Sequence, residues 1–275
     1  MRYFITILQW FLPGFISRKM YGVMATPRVR TPRPFKQEIL TSAKESSIPF
    51  ESFLIKKYIW EGKNGKTILF VHGWEGQTTN FYYLIDELRK MGYTIVSLDA
   101  PSHGLSTKGD THMFHFSNVL EEQLRLIKPN MIISHSFGSM NIAKALQEHK
   151  SQSFDFWLMI STPLSFRLGF EGQAKKYGIN TFIQKTLMKR VEEDTQDSFE
   201  NLNMINYCSD LENIKKIMIV QSTADKVFSI SWARELQKHI QDCDLIELDG
   251  LDHYKILQSE SLMNIIEEEL KSIVV

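Results

Sequence analysis

An apolar run that ends in a turn of small residues is the feature that most constrains how this chain folds. Residues 131–133 read Met-Ile-Ile, residues 134–138 read Ser-His-Ser-Phe-Gly, and a helical pattern covers residues 141–147. This order predicts a buried strand, a sharp turn centred on Ser136 and a helix. Small residues suit the turn because strand and helix must approach closely, and the backbone at its centre must be strained.

A serine at such a turn is positioned to act as a nucleophile. The strand–turn–helix arrangement, known as a nucleophile elbow, lifts the serine hydroxyl above the edge of the sheet, where a substrate can reach it. The pentapeptide alone is a weak signal, and Ser134 stands where the usual pattern has glycine. The hypothesis that Ser136 is a nucleophile therefore depends on other parts of the chain.

An acid and a histidine follow the serine in the order that a catalytic triad takes in one parallel-sheet fold. Asp225 follows an apolar run at 217–220, and His253 follows a predicted strand at 244–248. Both residues lie just past the end of a strand, and open α/β sheets bind ligands at the carboxyl ends of their strands. We therefore predict a triad of Ser136, Asp225 and His253.

Other carboxylates and histidines are weaker candidates for these roles. Asp249 and Asp252 lie too close to His253 in sequence, and neither follows the penultimate strand. Of the eight histidines, His253 alone follows the last predicted strand. His112 and His115 have an i, i+3 spacing that could hold a metal, but no third ligand is evident, so we expect no metal site.

The loop at 72–76, His-Gly-Trp-Glu-Gly, follows the predicted strand at 67–71. Acyl transfer needs two backbone N–H groups aimed at the developing oxyanion. One comes from the loop after an early strand and the other from the residue after the nucleophile. The sequence therefore predicts an oxyanion hole formed by the amides of Trp74 and Phe137.

A third loop, at 99–106, reads Asp-Ala-Pro-Ser-His-Gly-Leu-Ser after a predicted strand at 93–98. With the HGW loop, the SHSFG elbow, the later acid and the GxxH that ends at His253, it makes residues 50–272 resemble the α/β-hydrolase superfamily, in particular its serine esterase/lipase-like branch. The resemblance departs from the usual pattern at Ser134 and Ser102, which replace glycine. These small-for-small changes bear on local geometry more than on chemistry.

The resemblance implies a specific architecture and chemistry. It implies an α/β fold with a mostly parallel eight-stranded sheet, helices on both faces and a cap inserted after the sixth strand. It also implies hydrolysis of esters, amides or thioesters without a metal or other cofactor. The serine at position 136 argues against the relatives that use an aspartate nucleophile, such as dehalogenases and epoxide hydrolases.

The alternation of strand and helix patterns independently predicts a parallel sheet. Asn64-Gly65 is predicted to join two neighbouring strands as a hairpin. Predicted strands lie near 53–60, 67–72, 93–98, 130–134, 154–161, 216–222 and 244–248, and predicted helices near 78–91, 112–127, 137–149, 229–241 and 259–272.

The chain divides into three parts on the same patterns. Residues 37–162 and 211–275 form the predicted hydrolase core. Residues 163–210 lack a convincing strand and are predicted to form a helical cap over the active-site edge. Residues 1–36 combine an apolar N-terminal helix with a basic, proline-rich connector.

Composition excludes some partners. Lys plus Arg equals Asp plus Glu at 32 each, so no overall electrostatic field favours binding to nucleic acid.

Two cysteines, Cys208 and Cys243, form no disulfide framework, and we expect free thiols. We expect a cytoplasmic protein. A signal peptide is disfavoured because Arg18-Lys19 interrupts the apolar segment.

Two interpretations of the apolar N-terminus remain open. The segment at 4–16 is too short to span a bilayer. It either packs on the hydrolase body or lies in a membrane surface, making peripheral contact through residues 1–20 with Arg18 and Lys19 near the headgroups.

The predicted function is cleavage of a small-molecule ester or lipid-like substrate by a Ser-His-Asp triad through an acyl-enzyme. An acyltransferase using the same groups is one alternative. A non-catalytic binding protein on the same scaffold is another, because a fold does not determine a function.

Overall fold

The computed structural model describes residues 10–274 and contains one sheet of eight strands. The apolar runs of the sequence form most of these strands because β-branched and aromatic side chains pack well on a pleated surface. The strands are β1 (Lys44–Phe50), β2 (Phe53–Trp60), β3 (Thr67–Val71), β4 (Thr94–Leu98), β5 (Met131–His135), β6 (Phe156–Ile160), β7 (Ile217–Ser222) and β8 (Cys243–Leu248).

The strands are arranged in the order β1-β2-β4-β3-β5-β6-β7-β8. All pairs from β4 to β8 are parallel, and β2 runs antiparallel to both of its neighbours. The predicted mostly parallel eight-stranded sheet is therefore confirmed. The chain passes from β4 on one side of β3 to β5 on the other, which makes the loops after β3 and β5 neighbours at a topological switch point.

Helices connect the strands and cover the sheet. The helices predicted near 78–91, 112–127, 137–149, 229–241 and 259–272 are present, with ends within a few residues of the predicted positions. The helices are α1 (Pro13–Ala25), α2 (Pro34–Thr41), α3 (Tyr82–Lys90), α4 (His115–Ile127), α5 (Phe137–Leu146), α6 (Phe166–Tyr177), α7 (Thr181–Thr195), α8 (Met204–Tyr207), α9 (Ile230–His239) and α10 (Glu260–Val274).

The central strands are buried on both faces, as their continuous apolar sequences require. Leu69 and Ile132 point to one face and join one apolar cluster, while Phe70 and Ile133 point to the other face and join a second. The two clusters hold the sheet between two helical layers and keep the carboxyl ends of the parallel strands in register.

The predicted hairpin at Asn64-Gly65 is wrong. β2 and β3 are consecutive in the chain, but β4 lies between them in the sheet. β2 instead forms a hairpin with β1, in which Phe50 pairs with Phe53. β1 has no counterpart among the strands predicted from residue patterns, because this edge strand is largely exposed and lacks an apolar signal.

The segment at 163–210 contains α6, α7 and α8, and within this described range no sheet strand occurs. At the N-terminus, α1 packs against α7. The predicted apolar helix lies partly outside the described residues, and α2 begins inside the segment predicted as an extended connector. Among residues 10–274, no helix has the length and apolar character needed to cross a bilayer.

Candidate active site

Ser136 occupies the strained turn between β5 and α5. Its backbone has φ 56° and ψ −135°, a conformation that non-glycine residues rarely adopt. Strain of this kind persists only when the surrounding structure over-determines it, and it clusters at functional sites. The Ser136 amide donates to the carbonyl of Ile160 on β6, which helps to hold the turn against the sheet edge.

Two glycines allow the oxyanion loop and the elbow to pack together. A Cβ atom on Gly73 would lie 2.7 Å from the Ser136 Cβ, and one on Gly138 would lie 2.5 Å from the carbonyl oxygens of Val71 and His72. Distances this short exclude any side chain. The backbone of the loop after β3 therefore lies directly beside the nucleophile candidate.

His253 joins the serine to the acid. Its Nδ1 donates to Asp225 Oδ2 over 2.7 Å, which leaves Nε2 to accept from the Ser136 hydroxyl over 2.9 Å. The side chains of His253 and Asp225 are almost fully buried. The structure thus brings the three residues of the predicted triad, from three separate loops, into one hydrogen-bonded row.

Asp225 is held by four donors. Its Oδ1 accepts from the amides of Val227 (2.7 Å) and Phe228 (3.1 Å), and its Oδ2 accepts from Gln221 Nε2 (3.1 Å) as well as from His253. Burial alone would raise the pKa of this carboxyl, but the histidine and the two amides outweigh burial and lower its pKa below the usual value. Asp225 is therefore an ionised acceptor with a defined orientation.

The competing carboxylates are engaged elsewhere. Asp249 accepts from the Thr223 hydroxyl, and Asp252 accepts from the amides of Tyr254 and Lys255 at the turn that follows the histidine. Neither is hydrogen-bonded to the His253 ring. The hydrogen bonds of Asp249 and Asp252 stabilise the loops that carry Asp225 and His253.

The predicted oxyanion donors lie on the two segments that meet at Gly73. Phe137 N lies 3.0 Å from the Cβ position built on this glycine, and Trp74 is the next residue along the loop. Within residues 10–274, neither the Trp74 amide nor the Phe137 amide donates to another residue. Both N–H groups are thus free to bind an oxygen beside Ser136.

The loop at 99–106 is hydrogen-bonded to the segment that carries the predicted oxyanion donor Trp74. Asp99 accepts from the amides of Thr78 and Leu105, so it fixes two loops through backbone hydrogen bonds. His72 Nε2 accepts from the Ala100 amide, and His103 Nε2 accepts from the Glu75 amide. These bonds tie the oxyanion loop to its neighbour.

Known proteins share this fold and much of this arrangement of strands and helices. The alpha/beta hydrolase fold family matches residues 66–178. An esterase of Pyrococcus furiosus superposes with a TM-score of 0.69 over 92% of this chain and 98% of its own, at 17% identity. Together these matches show that the chain has the α/β-hydrolase fold.

Other similar proteins carry different names. A proline iminopeptidase of Clostridioides difficile (strain 630) is 24% identical over 165 residues, which make up 57% of this chain and 56% of the relative, so the chain spans about half of that relative's length. A membrane phospholipase A, described as a bacterial virulence factor, superposes with a TM-score of 0.66 over 99% of both chains at 12% identity. At these structural identities the likeness establishes the α/β-hydrolase fold alone.

The two departures from the superfamily pattern have structural partners. Ser134 Oγ accepts from the indole Nε1 of Trp157 over 2.9 Å and pairs with the Ser139 hydroxyl, also over 2.9 Å. Ser102 adopts φ 67°, and its hydroxyl both donates to the carbonyl and accepts from the amide of Gly109. Each serine hydroxyl thus satisfies polar groups that glycine would leave without these partners.

His135 has a role that sequence reasoning missed. Its Nε2 donates to the backbone carbonyl of His253 over 2.8 Å, so the residue before the nucleophile anchors the loop that carries the histidine. Burial lowers the pKa of His135 to about 3, and the ring is neutral at pH 7. Sequence alone gave no signal for this bond because the two residues are distant along the chain.

Three other histidines make defined contacts. His149 is buried beyond the end of α5 and donates to the Glu121 carbonyl over 2.8 Å. His112 stacks on His115, and the His115 Nε2 lies 3.0 Å from a Glu51 carboxylate oxygen.

An aromatic side chain of the cap segment packs against Phe137, the residue after the candidate nucleophile. Phe166, the first residue of α6, packs edge-on against Phe114 and Phe137, and Phe199 packs on Phe166 from the far side. A small cavity behind Phe114 and Phe166 is also lined by Met113. The side chain of Phe137 is therefore packed among aromatic rings on this side.

Proposed function

We propose that this chain is a serine hydrolase that cleaves a carboxylic ester, or a related amide or thioester, through an acyl-enzyme on Ser136. The observation that carries the proposal is the row of hydrogen bonds from Ser136 through His253 to Asp225, at 2.9 and 2.7 Å. A hydroxyl, an imidazole and a carboxylate in this order form the apparatus for nucleophilic attack on a carbonyl carbon.

Each residue has one role in the proposed reaction. His253 Nε2 takes the proton from Ser136 as its oxygen attacks, and then gives that proton to the leaving group. Asp225 holds the tautomer with Nδ1 protonated and stabilises the imidazolium. Water, activated by the same histidine, then releases the acyl group from the serine.

The tetrahedral intermediate carries a negative oxygen that needs donors. The free amides of Trp74 and Phe137 are the proposed oxyanion hole, and Phe137 additionally begins α5, whose N-terminus favours negative charge. Loss of one such donor typically costs about 2.7–4 kcal/mol in the transition state. Because these donors are main-chain groups, their position is set by the elbow and by Gly73.

The aromatic wall formed by Phe114, Phe137 and Phe166 supports an apolar acyl or leaving group. The names of the similar esterase and phospholipase agree with an ester substrate, while the name of the similar iminopeptidase keeps an amide in consideration. We propose that α6 and α7 act as the cap of this pocket, because Phe166 on α6 contacts Phe137 beside the nucleophile.

The decisive experiment is labelling with a serine-directed phosphonate together with hydrolysis of a short chromogenic ester. We expect wild type to react and Ser136→Ala to lose labelling and at least about 10⁴-fold in kcat. Ser231→Ala, at an exposed serine on α9, is the matched control and should behave as wild type. Equal labelling of wild type and Ser136→Ala would refute the assignment, and an unreactive wild type would favour a binding protein.

A substrate panel then separates the remaining reactions. Esters of graded chain length, a thioester and a prolyl anilide test the leaving group. Adding an alcohol during ester turnover tests the acceptor, because an acyltransferase would form the new ester in preference to the free acid. Hydrolysis as the main outcome supports the proposal.

A further inference from the structure

The N-terminal helix α1 is attached to the cap by one face only. Ile16 is buried, and the Tyr21 ring lies 5.3 Å below the guanidinium of Arg190 on α7. Tyr21 and Met24 also line the small cavity behind Phe166. These contacts fix which side of the helix faces the protein, and therefore which side faces away.

Large apolar side chains on α1, and in the residues just before it, are exposed to solvent. The exposed fractions are 71% for Trp10, 77% for Phe11, 51% for Phe15 and 61% for Val23. With Leu12 at 51%, five large apolar residues between positions 10 and 23 are exposed. Such a concentration of exposed apolar surface marks an interaction site, unlike scattered surface apolar residues. We call Trp10, Phe11, Phe15 and Val23 the N-terminal apolar surface.

Basic residues accompany this surface. Arg18 and Lys19 are exposed on α1, and Lys19 Nζ lies 5.8 Å from the centre of the Phe15 ring. The first acidic residue of the whole sequence is Glu38, whereas seven basic residues precede it: Arg2, Arg18, Lys19, Arg28, Arg30, Arg33 and Lys36. This segment is therefore strongly basic in a chain whose formal net charge is zero.

A surface that combines aromatic rings with arginine and lysine fits one kind of partner. We propose that the N-terminal apolar surface docks on the interface of an anionic lipid bilayer, with Phe11 and Phe15 at the acyl boundary and Arg18 and Lys19 at the headgroups. A second copy of this chain would carry the same positive charge and would be repelled. The inference concerns binding and holds whether or not the proposed hydrolysis is correct.

The test is co-sedimentation of the full chain with vesicles. Vesicles of phosphatidylcholine alone are compared with vesicles enriched in phosphatidylglycerol. We expect wild type to pellet with the anionic vesicles, to bind the neutral ones weakly, and to be released as salt is raised, because the charge attraction is screened. Failure to pellet with anionic vesicles would overturn the proposal.

Two independent variants locate the contact. F11S/F15S removes apolar surface, and R18Q/K19Q removes charge; we expect each to weaken binding to anionic vesicles by about tenfold or more. The matched control is Leu126→Ser, because Leu126 is 67% exposed but lies on α4, outside the segment. Vesicle binding by both variants equal to that of wild type, or an equal loss in the control, would overturn the assignment.

Light scattering and thermal unfolding complete the design. Variants at exposed positions should unfold at the wild-type temperature, so that weaker binding reports the surface and not misfolding. If wild type is a dimer that F11S/F15S converts to monomer without any vesicle binding, the occupant is a second copy and the proposal is wrong. A monomer that binds anionic vesicles supports it.

Discussion

The sheet edge around Ser136 and the N-terminal segment obey opposite packing rules. At the sheet edge a methyl group on Gly138 would lie 2.5 Å from two carbonyl oxygens, while methyl groups on Gly14 or Gly22 in the N-terminal segment would meet nothing within 4 Å. Close contacts with other parts of the chain fix the backbone of the first region. In the N-terminal segment, α1 packs on the protein by one face only, and the proposed bilayer contact would cover the other face.

This difference shows where each kind of function can reside. Chemistry at a carbonyl carbon requires groups held in a defined geometry, and only dense packing maintains a strained residue such as Ser136. Docking on a fluid lipid surface requires exposed apolar area and charge but no precise geometry. The two regions therefore respond differently to the same substitution.

The largest effect should come from the acid of the site. Asp225→Asn should lower kcat for ester hydrolysis about 10⁴-fold, because an amide cannot hold the productive tautomer of His253. Asp252→Asn is the matched control, since this nearby carboxylate caps a turn and does not contact the ring. Steady-state kinetics distinguish the two, and comparable losses in both variants would remove the special role of Asp225.

The glycine comparison can be tested directly. Gly138→Ala should destabilise the fold by about 3 kcal/mol, because its methyl group would overlap backbone oxygens that cannot move away. Gly22→Ala should instead stabilise α1 by up to about 1 kcal/mol, because alanine is the better helix former and space is open. Denaturant unfolding measures both, and a neutral Gly138→Ala would contradict the tight packing at the elbow.

Buried histidines predict how the core responds to acid. Burial lowers the pKa of His135 to about 3. Below pH 6.5, therefore, the His135 ring binds a proton in the unfolded chain but stays neutral in the folded chain. Its contribution to stability is complete above pH 6.5 and is lost as pH falls from there towards 3. Between pH 4 and 6 the slope is about 1.4 kcal/mol per pH unit for this group.

The measurement compares the free energy of unfolding at several pH values between 4 and 7. His135→Gln should reduce this slope by about 1.4 kcal/mol per pH unit. The same substitution at exposed His239 is the control. His72 and His103 are buried as well, with pKa values lowered to about 4 and about 3, so part of the slope should remain. An unchanged slope in His135→Gln would show that its ring does not behave as a buried neutral group.

The smallest expected effect concerns hydroxyl groups in the two regions. Ser134→Ala should destabilise the fold by about 1–3 kcal/mol, because the buried Trp157 indole loses its acceptor. Ser17→Ala in α1 should change stability by less than about 0.5 kcal/mol, since Ser17 only donates to the Gly14 carbonyl of the same segment. Equal effects would mean that α1 is packed as tightly as the core.

Much of the fold could be predicted because the signals are local. The alternation of apolar strands with helical patterns gave the parallel sheet, since an apolar run buried on both faces has few other solutions. The positions of Ser136, Asp225 and His253 past strand ends also predicted that they would meet, because parallel strands end at one edge of the sheet. Their catalytic roles remain predictions.

Other features could not be predicted, since they depend on contacts between distant residues. The β1 strand carries no apolar pattern, so only its pairing with β2 identifies it. The hairpin predicted at Asn64-Gly65 failed because a turn fixes local geometry and does not decide which strand arrives beside β2. The burial of His149 follows from its contact with Glu121 on α4, which lies 28 residues earlier in the chain.

By itself, the sequence determined the strand–turn–helix at Ser136, the order of serine, acid and histidine, and the basic, apolar character of the N-terminus, because each is a property of neighbouring residues or of chain order. Tertiary structure alone decided that β4 separates β2 from β3, that Trp157 bonds to Ser134, and that His135 anchors the His253 loop. The physical reason is that hydrogen bonds and close contacts across the sheet form between groups far apart in the chain, and their partners are chosen only when the whole core packs.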